Sequence, residues 1–112
     1  MTQTSLDFAQ KKCKPCEGGT PALTEDQIRE YLARLNGWSL AEGKITRLFS
    51  FKNYYQTVSF VNAAAWIAHQ EDHHPEIEFG YKQCRIRCWT HAINGISEND
   101  FICAAKIDRL LT

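Results

Sequence analysis

The amino-acid sequence predicts an α+β fold, in which a four-stranded antiparallel sheet made of two hairpins carries three helices packed on one face. Three observations support this prediction. Two capping boxes each precede a helical pattern of apolar residues, a further helical pattern lies between them, and two pairs of short alternating segments are separated by turns. The predicted order of elements is α-β-β-α-β-β-α, in a single domain over residues 23–112.

The composition excludes several classes of protein. The 112 residues include 13 basic and 13 acidic side chains, so no broad positive field is available to bind nucleic acid. No apolar run approaches the roughly 20 residues needed to cross a bilayer, and the N-terminus lacks the apolar segment of a signal peptide. We therefore expect a soluble cytoplasmic protein that contacts neither nucleic acid nor a membrane directly.

Residues 1–22 are polar, contain glycines and prolines, and show no periodicity, so they are predicted to form a flexible N-terminal arm. Within this arm, Cys13 and Cys16 have the spacing of a zinc half-site or a redox pair, but no second CxxC follows. The chain has five cysteines, an odd number, which favours reduced thiols over a disulfide framework. A surface arm that carries two thiols is the favoured interpretation.

The first helix is predicted to begin at a capping box formed by Thr24 and Gln27 and to stop at Asn36-Gly37. Its apolar stripe consists of Ile28, Tyr31, Leu32 and Leu35. A hairpin then follows, with strands at residues 38–40 and 45–51 joined by a turn at Glu42-Gly43.

Trp38 opens the first of these strands. Its indole could stack on a planar ligand, although packing against the first helix is the more common arrangement for a tryptophan in this position.

The long helix is predicted from Tyr54 to about Gln70. Its apolar stripe consists of Tyr54, Val58, Val61, Ala65 and Ala68, with Phe60, Ala64 and Ile67 beside it. So wide an apolar face needs cover on two sides. One side faces the sheet, and we expect a helix of a second subunit on the other, which predicts a homo-oligomer.

The second hairpin is predicted from Ile77 to His91, with a turn at Lys82-Gln83. Alternation in its second strand turns one set of side chains to the core: Cys84, Ile86, Cys88 and Thr90. The opposite set, Arg85, Arg87, Trp89 and His91, forms a polar outer face or an anion site, of which the solvated face is favoured. A second capping box, Ser97 to Asp100, opens the last helix and gives Asp100 a structural role.

Chemistry is concentrated at residues 71–75, where the long helix must stop before a proline. His73 and His74 follow two carboxylates, and imidazoles exchange protons near neutral pH. His91 comes at the end of a strand and joins them as a candidate. The pattern permits a metal site, an acid/base site or an ordinary hydrogen-bonded turn. Adjacent histidines rarely bind one zinc ion together, and no serine or cysteine nucleophile stands beside a base, so acid/base catalysis and a structural turn remain nearly equal alternatives.

The sequence resembles the pterin-4a-carbinolamine dehydratases over residues 23–110. The most specific match is Asp72-His73-His74-Pro75-Glu76, followed by Thr90-His91 and then by residues 95–100. Gly37-Trp38 and Glu42-Gly43 also match in order and spacing.

This resemblance implies a hydro-lyase that dehydrates 4a-hydroxytetrahydropterin to quinonoid dihydropterin, a step that recycles the pterin of aromatic amino-acid hydroxylases. His73 and His91 are the expected acid/base pair, and His74 is expected to bind the pterin first and to act in catalysis second. Asp72, Pro75, Asp100 and Trp38 are expected to support the site or border it. No metal and no organic cofactor are expected, because the pterin is the substrate.

The resemblance also implies a homodimer or homotetramer and a functional link to phenylalanine hydroxylase. His69 departs from the pattern, since it stands one helical turn before His73, where an acidic residue can occur; we expect it to face solvent. The alternative function is a non-enzymatic partner protein that stabilises another protein through the exposed face of the long helix.

Overall fold

A computed structural model describes residues 8–14 and 21–111 of the chain. From residue 21 onward the helices are α1 (Glu25–Leu32), α2 (Tyr54–Glu71) and α3 (Glu98–Asp108), and the strands are β1 (Ser39–Ala41), β2 (Lys44–Ser50), β3 (Glu76–Phe79) and β4 (Gln83–Cys88). Short 3₁₀ turns follow β4 at His91–Ile93 and α3 at Arg109–Leu111. The predicted fold class and order of elements are confirmed.

The strands form one antiparallel sheet in the order β1-β2-β4-β3, so β4 is central. Ile86 pairs with Arg47 on one side and with Ile77 on the other. Because side chains alternate along a strand, Cys84, Ile86 and Cys88 all turn to the helices and are fully buried.

The outer face of β4 is polar, as predicted. Arg87 donates to Glu78 at 3.0 Å and to Glu76 at 3.4 Å across the β3–β4 pair. The neighbouring Arg85 donates to the Thr46 hydroxyl at 3.1 Å. These cross-strand contacts give both arginines partners on the outer face of the sheet, and those of Arg87 are ion pairs.

Local sequence signals set the ends of the elements. Both predicted capping boxes are formed: the Thr24 hydroxyl accepts from the Gln27 amide at 3.2 Å, and Ser97 and Asp100 make the reciprocal pair at the start of α3. In the first hairpin Glu42 and Gly43 have φ values of 54° and 78°, the left-handed pair that a tight antiparallel turn requires.

The buried face of α2 differs from the predicted stripe. The buried side chains are Thr57, Phe60, Ala64, Ala68 and Glu71, whereas Tyr54 and Ala65 are exposed. Apolar residues occupy most of the circumference of this helix, so periodicity alone fixes its rotation poorly. Thr57 turns inward because its hydroxyl donates to the carbonyls of Asn53 and Tyr81, at 3.0 and 3.1 Å.

The N-terminal segment also differs from the prediction. In contrast to the flexible arm that was expected, residues 8–14 pack against the domain, and Phe8 is only 1% exposed. Its ring lies 5.4 Å from Tyr31 and 5.7 Å from Phe101, centroid to centroid. A single aromatic anchor in a polar segment produces no periodicity, which is why the sequence pattern does not show this packing. Residues 1–7 and 15–20 of the predicted arm lie outside the described residues.

No helix in the described part of the chain is long and apolar enough to cross a membrane.

Replacing Ile86 with alanine is expected to lower the free energy of unfolding by about 2–5 kcal/mol, because the fully buried side chain would leave a cavity at the centre of the sheet. The matched control is Leu48→Ala on the outer face, where the side chain is 42% exposed and a loss of about 1 kcal/mol or less is expected. The free energy of unfolding of both variants is measured by urea denaturation, with circular dichroism as the signal. Equal losses would contradict the assignment of the two faces.

Candidate active site

The site begins where α2 ends. Asp72 caps the helix in the left-handed conformation, with φ 51° and ψ 44°, and its amide donates back to the carbonyls of Ala68 and His69. This reversal turns the chain so that the next residue, His73, points into the domain. His73 is 7% exposed, whereas His74 is exposed, so the two adjacent rings lie in different environments.

The His73 ring is hydrogen-bonded to the side chain of Asp100. The Nε2 atom of His73 lies 2.6 Å from Oδ1 of Asp100, whose side chain is fully buried. The other carboxylate oxygen accepts from the Thr90 hydroxyl and from the Ser97 amide, each at 2.9 Å. One carboxylate therefore joins the end of α2, the end of β4 and the start of α3.

His91 lines the same site. It opens the 3₁₀ turn after β4, and its ring packs against Trp89 in a tilted arrangement, with 4.3 Å between centroids and an interplanar angle of 31°. The ammonium group of Lys44 lies 4.3 Å from the centre of the same indole. The turn is closed by a two-way pairing of Thr90 with Gly95, in which the Thr90 amide donates to the Gly95 carbonyl at 2.7 Å.

Gly95 permits a close approach behind this turn. A Cβ atom at this position would lie 2.8 Å from the Cβ atom of Ala22, too close for any larger residue without a shift. The chain that leads into α1 is fixed beside it, because the Leu23 amide donates to the Ile96 carbonyl at 2.8 Å.

These elements surround a pocket of about 460 Å³. Its lining residues are Lys12, Cys13, Lys14, Gln70, Glu71, Asp72, His73, His74, Thr90, His91, Ala92 and Asn99. The volume falls in the range of pockets that bind small organic molecules. The structure thus brings together Asp72 and the three histidines predicted from the sequence, with Asp100 behind His73.

Two predicted residues stand apart from the pocket. Trp38 does not line it, which corrects the expectation that its indole borders the site. The side chain is buried, its Nε1 atom donates to both oxygens of Asp108 at 3.0 Å, and its ring packs edge-on against Phe49. Pro75 also lies outside the lining and connects His74 to β3.

His69 lies outside the pocket, in agreement with the expectation that it faces solvent. It is exposed on α2 and its ring lies 5.5 Å from that of Trp66, one turn earlier.

Two further residues belong to the site: Asn99, which sequence reasoning missed, and Glu71, which lies in the stretch 71–75 but was given no role there. Burial would raise the pKa of Glu71, but the Cys13 amide, at 2.9 Å, and the Lys106 ammonium group, at 2.7 Å, hold that pKa below its ordinary range. Asn99 accepts from the Lys14 amide at 3.0 Å. Each residue precedes a predicted site residue in the sequence, so adjacency to Asp72 and Asp100 was the available signal.

Cys13 is half-buried beside Glu71, and burial raises the pKa of its thiol above the ordinary range. Cys16 lies outside the described residues, so the CxxC hypothesis stays a prediction. On β4, burial also raises the pKa of Cys84 to about 11, which fits the predicted role of a small core residue.

The fold and this pocket define the class of protein. The family model of pterin 4 alpha carbinolamine dehydratase matches residues 21–110, and the chain belongs to this family. A curated relative from Nitrosomonas eutropha, provisionally named as a pterin-4-alpha-carbinolamine dehydratase, is 61% identical over 106 residues, which cover 94% of each chain. A relative from Legionella pneumophila with the same provisional name is 54% identical and covers 94% of this chain and 96% of its own.

Two solved structures share the fold. A crystal structure described as a transcriptional coactivator/pterin dehydratase from Brucella melitensis matches with a TM-score of 0.78 and 35% identity, and covers 82% of this chain and 100% of its own. A pterin dehydratase-like protein identified as a RuBisCO assembly factor in the alpha-carboxysome matches with a TM-score of 0.57 and 28% identity, over 67% of this chain and 89% of its own.

Glu71→Gln is expected to weaken the loss of stability in acid. The folded-state pKa of Glu71 lies below its ordinary value of 4.5, so its stabilising contribution is complete above about that pH and is lost as the pH falls through the folded-state pKa. Urea denaturation at a series of pH values between about 3 and 6 measures the slope. Glu25→Gln, which removes an exposed carboxylate from α1, controls for the change in net charge. A slope unchanged by Glu71→Gln would contradict the proposed linkage.

Proposed function

We propose that this protein dehydrates 4a-hydroxytetrahydropterin to quinonoid dihydropterin, with His73 and His91 as the acid/base pair. The observation that carries the proposal is the placement of His73, His74 and His91 around one pocket, with His73 fixed by a buried carboxylate. The family to which the chain belongs supports the choice of substrate class.

The reaction needs two proton transfers. The C4a–O bond breaks as the leaving hydroxyl takes a proton and departs as water, while a ring nitrogen of the pterin gives up a proton and forms the C=N bond. No redox change occurs, so the electrons of the N–H bond supply the new double bond. Imidazoles titrate near neutral pH, and a well-placed general acid or base contributes roughly 10²- to 10⁴-fold in rate.

The geometry suits His73 as the base. Because its Nε2 atom is directed at the Asp100 carboxylate, the neutral ring carries its proton on Nε2 and presents the Nδ1 lone pair to a substrate. When Nδ1 takes up a proton, the same carboxylate stabilises the imidazolium through a charge-assisted hydrogen bond. His91 is exposed, lines the same pocket and packs against Trp89, so its ring is available to protonate the leaving hydroxyl.

His74 and Asp72 belong to substrate binding in this proposal. Both are exposed and line the pocket next to His73, so they can bond the polar edge of a pterin without entering the buried network. The reaction belongs to pterin recycling after aromatic amino-acid hydroxylation in the cytoplasm, which would link this protein functionally to phenylalanine hydroxylase.

The double variant His73→Ala/His91→Ala is expected to lose most of the rate above the spontaneous reaction, at least about 10²-fold, because both proton-transfer groups are removed. Formation of quinonoid dihydropterin from freshly generated 4a-hydroxytetrahydropterin measures the rate. His69→Ala is the matched control, since it removes an exposed imidazole outside the pocket and should retain wild-type turnover. Wild-type turnover no faster than the spontaneous reaction would overturn the enzymatic function.

The exposed aromatic side chains of α2 support a second role, which is self-association. Tyr55 is 81% exposed and Trp66 is 59% exposed. They are eleven positions apart in the sequence, about three helical turns, so they lie on the same face. We propose that this face binds a second copy of the chain and forms a homodimer or homotetramer; a different protein partner, as in the non-enzymatic alternative, is the other occupant that the test must distinguish.

Trp66→Glu is expected to convert the oligomer to monomer, because it replaces an aromatic side chain of the proposed interface with a charge. Size-exclusion chromatography with light scattering measures the mass of the wild type and the variant. Leu48→Glu, at an exposed apolar residue on the outer face of the sheet, is the control and should keep the wild-type mass. A monomeric wild type would overturn the self-association and leave a different protein as the partner of this face.

A further inference from the structure

A short segment outside the family-matching region forms part of the pocket. Residues 11–14, which we term the strap, precede the match to the family model, which begins at residue 21. Lys12, Cys13 and Lys14 nevertheless line the same pocket as the three histidines. The strap therefore lies where a bound substrate would meet it.

Two buried side chains hold the strap by its backbone. Glu71 accepts from the Cys13 amide at 2.9 Å, and Asn99 accepts from the Lys14 amide at 3.0 Å while its own amide donates to the Lys14 carbonyl. Glu71 and Asn99 are each 8% exposed. Hydrogen bonds to buried polar groups are costly to leave unmade, so these contacts favour the docked strap.

Two further contacts, both made outside the pocket, also hold the strap in place. Phe8 is buried between Tyr31 and Phe101, and Phe101 follows Asp100 directly in α3. The Lys11 ammonium group lies 2.6 Å from a carboxylate oxygen of Glu98. The apolar anchor contributes more than this exposed ion pair, because surface salt bridges are worth about 0–1 kcal/mol.

The anchors of the strap lie next to the catalytic groups. Glu71 precedes Asp72 and His73 at the end of α2, and Asn99 precedes Asp100 at the start of α3. The docked strap thus closes one side of the pocket directly beside the buried His73–Asp100 pair. Without it, that side would open to water, and both the contact area for a ligand and the protection of the pair would fall.

We propose that the strap is a substrate-binding wall of the pterin pocket, so that residues outside the family-matching region set the affinity for the pterin. This inference rests on the proposed function. Phe8 acts as a positioning residue, since it holds the strap but does not line the pocket. Lys12 has a side chain that is 75% exposed, and its ammonium group lies 3.8 Å from Oε2 of Glu71. Because Lys12 also lines the pocket, this ammonium group can donate to the ring carbonyl of a bound pterin.

The test compares Phe8→Ala with the wild type for binding of 7,8-dihydrobiopterin, measured by isothermal titration calorimetry. Loss of the anchor is expected to release the strap and to raise Kd by about tenfold or more, with a larger effect on KM than on kcat in the dehydration assay. Phe51→Ala is the matched control. It removes an aromatic side chain that packs on Phe60, away from the strap, and should leave pterin affinity unchanged.

A second measurement uses the wild-type chain, so it does not depend on the folding of a variant. Trypsin can cleave after Lys12, and the fragment that begins at Cys13 is quantified by mass spectrometry. Saturating 7,8-dihydrobiopterin is expected to slow this cleavage several-fold, because the bound pterin contacts the strap and holds it docked.

The outcomes separate this inference from the proposed function. Wild-type binding of the pterin, with weaker binding by Phe8→Ala and protection of the strap, supports both. Equal affinities of the wild type and Phe8→Ala, or cleavage after Lys12 that the pterin does not slow, would overturn the strap proposal and leave the dehydratase intact. A wild-type chain that neither binds the pterin nor turns over the carbinolamine would overturn both.

Discussion

The buried carboxylate of Asp100 is the constraint on which the rest of the site depends. A carboxylate removed from water is costly unless hydrogen bonds replace its hydration, and here three donors surround it: the His73 ring, the Thr90 hydroxyl and the Ser97 amide. These donors come from the end of α2, the end of β4 and the start of α3. The three elements must therefore meet at one point for the carboxylate to be satisfied, and that point is the back wall of the pocket.

Other features of the chain follow from this meeting point. The left-handed Asp72 reverses the chain so that His73 can reach Asp100 two residues after the last residue of α2. The pairing of Thr90 with Gly95 closes the turn that carries His91, and the same Thr90 hydroxyl bonds the carboxylate. Two imidazoles from distant parts of the sequence are thus placed around one pocket by backbone conformations that local residues impose.

Most of the fold and half of the site could be predicted from local sequence signals. Capping boxes, the left-handed turn at Glu42-Gly43 and the alternation of β4 depend on neighbours in sequence, and each was predicted correctly. The rotation of α2 depends on the burial of Thr57, which a sequence pattern counts as polar. The strap is held by hydrogen bonds to Glu71 and Asn99, which lie 58 and 85 positions further along the sequence. No periodicity in the sequence can reveal such bonds.

Asp100 shows why a complete structural explanation of a residue does not exclude a chemical one. Capping alone explains an acidic side chain at this position of a helix, so the sequence pattern requires no further role for Asp100. In the structure each oxygen of Asp100 has a different partner: Oδ2 accepts from the Ser97 amide, and Oδ1 is hydrogen-bonded to the His73 ring. The helix start therefore fixes the direction of the carboxylate, and the carboxylate fixes the tautomer and position of the imidazole. One buried side chain therefore both begins α3 and holds the His73 ring in place, because each function uses a different oxygen of the same carboxylate.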